Sequence, residues 1–158
     1  MIEPTPEDLL TCLRVSRWAE ELSSRAYGTL LELERAAVSA ATPLSPEEID
    51  EALAAHPRIG ERRDGDDAES RFSQSEQASS ASGDEALAAR LAEGNRAYEQ
   101  RFDRVFLIRA AGRSREEIVG ELERRLRNED AVELAEVADQ LRGIALLRLR
   151  ATYGEVAA

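Results

Sequence analysis

The groups able to do acid–base or anion chemistry in this 158-residue chain are few. There is one histidine, His56, and one cysteine, Cys12, and all 21 basic residues are arginine. Without lysine no side chain can form a Schiff base or hold pyridoxal phosphate as an internal aldimine. No P-loop lysine is present to meet nucleotide phosphates. One His and one Cys cannot assemble a zinc site of the usual Cys/His type. A single Cys also excludes an intramolecular disulfide, so nothing marks the chain as secreted. One imidazole, the carboxylates and the guanidiniums remain.

Among the guanidiniums, Arg148 is set apart by its place on a helical wheel. Leu134, Val137, Leu141, Ile144 and Ala145 form an apolar stripe, and Arg148 falls close to its centre. Arg142 and Arg150 point away, toward solvent. A core-facing guanidinium needs an anion, supplied by the protein or by a ligand; the alternative is an arginine snorkelling near a helix end. His56 falls where a helix should end, immediately before Pro57. A helix C-terminus favours the imidazolium, either for chemistry or merely to bind the last carbonyls. Glu76 lies in Ser73-Gln74-Ser75-Glu76-Gln77, which scans on spacing alone as a capping box. Arg109 follows Phe106-Leu107-Ile108 and can mark where that run meets water. Cys12, among Leu9, Leu10 and Leu13, reads as a small core residue, with a Cys–His nucleophilic pair as the alternative. Trp18 with Leu22 reads as helix packing.

The elements that must position these groups are almost all helical. Thr5-Pro6-Glu7-Asp8 opens the first helix with a capping residue, an early proline and acids. Helices follow over about Ser16–Tyr27 and Thr29–Ala41. Ser45-Pro46-Glu47-Glu48 is a capping box that starts a helix to about Ala55. Residues 60–70 read as a charged surface loop, with a short helix beginning near Ser73. Another spans about Asp84–Phe102, and Ser114-Arg115-Glu116-Glu117 opens one to about Arg127. The last covers about Asp130–Thr152. Phe106-Leu107-Ile108 is the one β-like run, too short and isolated to make a sheet.

The expectation is one compact all-α, multi-helix domain over residues 1–158, long enough to bury about two-thirds of its unfolded surface. A net charge of −11 makes a phosphate backbone a poor partner, although a local arginine cluster could hold a small anion. No apolar run approaches the roughly 18 residues a membrane span needs. The acidic, Pro-punctuated MIEPTPEDLL is not a signal or transit peptide, so the expected location is cytoplasmic.

The ordered series His56-Pro57, Ser73-x-x-Glu76-Gln77, Asn95-x-x-Tyr98-x-x-x-Phe102 and Phe106-Leu107-Ile108-Arg109-Ala110 resembles the 2-oxo-4-hydroxy-4-carboxy-5-ureidoimidazoline (OHCU) decarboxylase family of urate degradation. Gly112-Arg113-Ser114, Arg125-Leu126-x-Asn128 and Ile144-x-x-Leu147-Arg148-Leu149 continue the series. The resemblance reaches from the N-terminal helices to about Leu149. It implies an all-α, cofactor-free carboxy-lyase, often a homodimer, acting on a small anionic ureide to give (S)-allantoin. It implies that His56 is catalytic, that Glu76 is a second catalytic residue and that Arg148 engages the substrate. Pro57, Ser73, Gln74, Ser75 and Gln77 would line the pocket, as would the backbone of Phe106, Leu107, Ile108, Arg109 and Ala110. Two stretches depart from the family pattern. Many members have Phe-Gly-Phe-Pro-Phe where this chain has Phe102-Asp103-Arg104-Val105-Phe106, and Asp-Leu-Ala-Gly where it has Arg58-Ile59-Gly60-Glu61.

The residue inventory agrees with that chemistry. A substrate carrying a conjugated C=N beside the departing carboxylate is its own electron sink, so neither lysine nor a cofactor is required. The site must hold an anion, orient the carboxylate and deliver a proton to one face. Arg148 suits the first task; His56 and Glu76 suit the proton work, and a carboxylate beside His56 would favour its protonated form. The residue types leave the donor of the final proton open. A silent helical interaction module and a ureide or purine-carboxylate sensor are the alternatives on the same fold.

Overall fold

The computed structural model describes residues 1–59, 72, 76 and 85–157. The fold is all-α. Seven helices are named among the described residues: α1 (Pro6–Cys12), α2 (Ser16–Ser23), α3 (Leu30–Ala40), α4 (Pro46–Leu53), α5 (Glu85–Phe102), α6 (Arg115–Arg125) and α7 (Asp130–Ala157). Their starts are written locally. Thr5 accepts from the Asp8 amide ahead of Pro6, and Thr29 accepts from the Glu32 amide. Ser45 with Glu48 and Ser114 with Glu117 form complete capping boxes, each satisfying two otherwise orphaned amides.

The chain divides into two compact units, Met1–Ala55 with Ala138–Ala158, and His56–Val137. In the first, the Trp18 indole is fully buried and donates to the Ala37 carbonyl at 3.0 Å, tying α2 to α3. Cys12 is a buried core residue, as expected. Helix α2 stops at Ser23 rather than near Tyr27. Tyr27 instead exchanges two backbone hydrogen bonds with Ile2, at 2.7 and 2.8 Å, which requires extended chain. The Tyr27 hydroxyl then donates back to the Leu22 carbonyl at 2.9 Å. At the other end α7 runs past Thr152, because Tyr153 is buried and its hydroxyl reaches Asp8.

The second unit is built on a cluster formed by Ile59, Leu91, Tyr98, Phe106, Ile108 and Leu122 with their neighbours. Helices α5 and α6 approach closely at Gly94, where a Cβ would stand 2.4 Å from Leu122 Cδ2, so any other residue there forces the buried Leu122 side chain to shift. Tyr98 stacks at a tilt on Phe102 and meets Phe106 edge-on, with centroids 4.7 and 5.2 Å apart. Phe106-Leu107-Ile108 enters no strand, and its backbone is held by side chains instead.

Candidate active site

His56 follows α4 directly. The helix ends at Leu53, Ala54 caps it in right-handed conformation, and Pro57 prevents the chain from resuming the helix. His56 and Pro57 are both half-buried. The next two residues are fastened to α5. Arg58 grips Glu99 bidentately, with Nε 3.0 Å from each carboxylate oxygen and Nη2 2.7 Å from Oε1. Asn95 donates from Nδ2 to the Ile59 carbonyl at 2.9 Å, while its buried Oδ1 has no hydrogen-bond partner. The histidine-bearing turn is therefore held by an ion pair and by a buried amide within two residues of the imidazole.

Glu76 is helical and half-buried, as is Phe72. Ser73, Gln74, Ser75 and Gln77 lie outside the described residues, and so does the 60–70 loop.

The Phe106–Ala110 segment lies in the same unit as His56, and Ile59 and Ile108 belong to one apolar cluster. Phe106, Leu107, Ile108 and Ala110 are buried, and Arg109 is half-buried. The Leu107 carbonyl accepts from Arg125 Nη1 at 2.7 Å, and the Arg109 carbonyl accepts from Arg113 Nε at 2.9 Å. The Ala110 carbonyl accepts from the Arg113 amide at 3.0 Å. Among the described residues no hydrogen bond reaches the N–H or C=O of Ile108, although the residue is only 2% exposed. Buried peptide groups are almost always paired, so an unpaired one marks a place where a ligand can be read.

Beneath this segment lies a buried polar network that the sequence reading did not assemble. Arg125 and Glu133 form an ion pair with side chains 1% and 0% exposed. Arg125 Nε sits 3.1 and 3.0 Å from the two Glu133 oxygens, and Nη2 completes the fork. Tyr98 donates its hydroxyl to Glu133 Oε2, and Asn128 donates to Oε1 at 3.1 Å. Burial, and the carboxylate it donates to, push the Tyr98 phenol well above its ordinary pKa, which keeps it a donor. The Arg125 guanidinium also lies 4.7 Å over the Phe106 ring.

Arg148 belongs to the part of α7 in the first unit. It is 2% exposed, and Nη1 donates to the Thr11 carbonyl at 2.9 Å. The wheel therefore placed it correctly, and snorkelling does not describe it. Arg150 is exposed and pairs with Glu34, as expected. Arg142 departs from expectation: its side chain is 18% exposed, and Nη1 donates to the Ala41 carbonyl at 2.9 Å. The end of α3 supplies an acceptor there that the wheel of α7 alone does not reveal. Arg104, one of the departures from the family pattern, is half-buried, and its Nε is buried without a partner. Among the described residues no group of three or more His, Cys, Asp or Glu is placed to hold a metal ion. No helix among them is long and apolar enough to cross a membrane.

The second unit carries one imidazole, one carboxylate and a buried peptide donor, and the buried Arg148 guanidinium belongs to the first. Comparison with known proteins gives a consistent picture. A family model described as OHCU decarboxylase matches residues 5–150. The fold is similar to that of an OHCU decarboxylase crystallised in the presence of (S)-allantoin. That match has 26% identity over 96% of this chain and 99% of the other, with a TM-score of 0.80. It is also similar to a crystallised (S)-allantoin synthase, at 19% identity over 92% of this chain with a TM-score of 0.68, a likeness of fold alone. The chain spans 48% of that second protein. No match to the sequence was found among curated proteins.

Proposed function

The chain belongs to the OHCU decarboxylase family of carboxy-lyases, and on that basis we propose that it converts 2-oxo-4-hydroxy-4-carboxy-5-ureidoimidazoline to (S)-allantoin in urate degradation, without a cofactor. Breaking the bond to the carboxylate releases CO2 and sends the bonding pair toward the adjacent C=N of the ring. The hydroxyl on the same carbon gives up its proton as that carbon becomes a carbonyl. The ring nitrogen that receives the pair takes up one proton. A second arrives on one face of the carbon bearing the ureido group, and that face sets the S configuration. Arg148 holds the anion through its planar fork. His56 and Glu76 orient the hydroxyl and move the protons. Pro57, Ser73 to Gln77 and the Phe106–Ala110 backbone enclose the ureide.

The observation that carries this reading is the Ile108 peptide, buried yet unpaired among the described residues, in the segment that the family resemblance gives to the substrate. A ureide offers both a carbonyl acceptor and N–H donors and so complements such a peptide. Buried Arg148 adds a cation of the kind a carboxylate substrate needs. The same reading makes the protein a cytoplasmic homodimer; sedimentation at micromolar concentration checks the assembly. His56→Ala tests the chemistry. The variant should fold with an unchanged circular dichroism spectrum and lose stereoselective allantoin formation. Wild-type rates on freshly generated substrate would remove His56 from the mechanism.

A further inference from the structure

Peptide planarity turns the Arg125–Leu107 contact into a statement about the next residue. The Leu107–Ile108 peptide is trans, so its C=O and its N–H point in opposite directions. Arg125 Nη1 occupies the carbonyl end at 2.7 Å. The Ile108 N–H is therefore aimed away from Arg125, and among the described residues it meets no acceptor. A cationic donor on a carbonyl withdraws electron density from the whole amide and makes its N–H a stronger donor, an effect enhanced where water is excluded.

We propose that Arg125, held by Glu133, is a positioning residue that fixes and polarises the Leu107–Ile108 peptide so that the Ile108 N–H serves as a charge-assisted donor to the ureide substrate. This rests on the functional reading above. The geometry of the network fits the task. One edge of the guanidinium, Nε with Nη2, is spent on Glu133. Nη1 is left for Leu107, and the flat face is packed against Phe106, the residue that leads into the segment. Tyr98 and Asn128 saturate the remaining lone pairs of Glu133, so the carboxylate cannot swing toward another cation. A core ion pair alone stabilises a fold weakly or not at all compared with apolar packing. A pair whose cation holds one end of a peptide with an unpaired N–H is better explained by what it does to that peptide. Lysine cannot reproduce it, because an ammonium has no planar fork to span Glu133 and Leu107 together.

The test compares Arg125→Lys with Leu33→Ala, a core substitution in the first unit whose loss of stability serves as the control. Each is measured by steady-state kinetics on substrate generated in situ and by the 15N chemical shift of the Ile108 amide in the free protein. In Arg125→Lys, kcat should fall about 10-fold or more, part of the roughly 10²–10³-fold that loss of such a donor costs. The Ile108 resonance should move with it. Leu33→Ala should lower the melting temperature without moving that resonance or reducing kcat comparably. If Arg125→Lys does not fold, Arg125→Gln combined with Glu133→Gln carries the same readouts, since it leaves no unpaired buried charge. An unmoved Ile108 resonance, or a kcat no lower than that of the stability control, overturns the proposal. If the wild-type protein forms no excess of (S)-allantoin while the Ile108 shift still responds to Arg125→Lys, the positioning of the peptide stands and the assigned reaction falls.

Discussion

Gly94→Ala puts the contact between α5 and α6 to a quantitative test. The new Cβ would lie 2.4 Å from Leu122 Cδ2 and 3.0 Å from its Cγ, and Leu122 is fully buried. Alanine gains about 1 kcal/mol of helix propensity over glycine. Overpacking of this kind costs roughly 1–3 kcal/mol, and a clash this deep belongs in the upper half of that range. The net loss is then about 1–2 kcal/mol, which lowers Tm by roughly 3–6 °C for a chain of this length. Arg125 sits at the C-terminal end of the helix that must yield, so the displacement also reaches the Leu107 carbonyl. Thermal unfolding of Gly94→Ala, Leu122→Ala and the double variant forms a cycle. In the Leu122→Ala background the clash is gone and Gly94→Ala should stabilise, by up to about 1 kcal/mol. The coupling between the two positions should be about 2–3 kcal/mol. A higher Tm for Gly94→Ala alone, or strict additivity, would refute the close-approach argument.

Three further outcomes follow from other parts of the molecule. Asp103 has a φ of 56°, at the position where the family pattern has glycine, so Asp103→Gly should raise stability by about 0.5–1 kcal/mol; a fall in Tm would show that the aspartate side chain makes up for its backbone conformation. The Arg17 guanidinium, by donating to Glu48, holds that carboxyl below its ordinary value of 4.5. A depressed folded pKa contributes stability above the unfolded value that disappears as pH falls through the folded one. The stability gap between wild type and Glu48→Gln should therefore be constant near neutrality and close below about pH 4. An equal gap at pH 7 and pH 3, measured by urea denaturation, would contradict the assigned cause. Arg148→Lys keeps a cation but loses the planar fork, and should cut kcat/KM by about 10-fold or more while Tm falls only a few degrees. Unchanged kcat/KM would return Arg148 to a purely structural role.

What the sequence made legible was largely local. The boxes at Ser45/Glu48 and Ser114/Glu117 formed as read, because their partners lie three residues apart. The early end of α2 was hidden because it depends on Ile2, 25 positions away from Tyr27. Burial of Arg148 could be read because its own helix carries the apolar stripe. The same wheel would have found Arg125, which follows Ile118 and Leu122 on one face of α6, and Glu133, which precedes Val137 and Leu141 on α7. Their pairing could not be read, since it joins two helices through tertiary packing and places the charges opposite a carbonyl in a segment with no periodicity. Arg142 misled for the same reason, its acceptor being the backbone at the end of α3. The order of the motifs, rather than any one of them, identified the family.

The central claim is tested most directly by the handedness of the product. With the substrate generated in situ from urate and this protein added, the circular dichroism of allantoin should rise rapidly with the sign of the S enantiomer, at a rate proportional to protein concentration. Slow formation of racemic allantoin, at the same rate with and without the protein, would contradict the account.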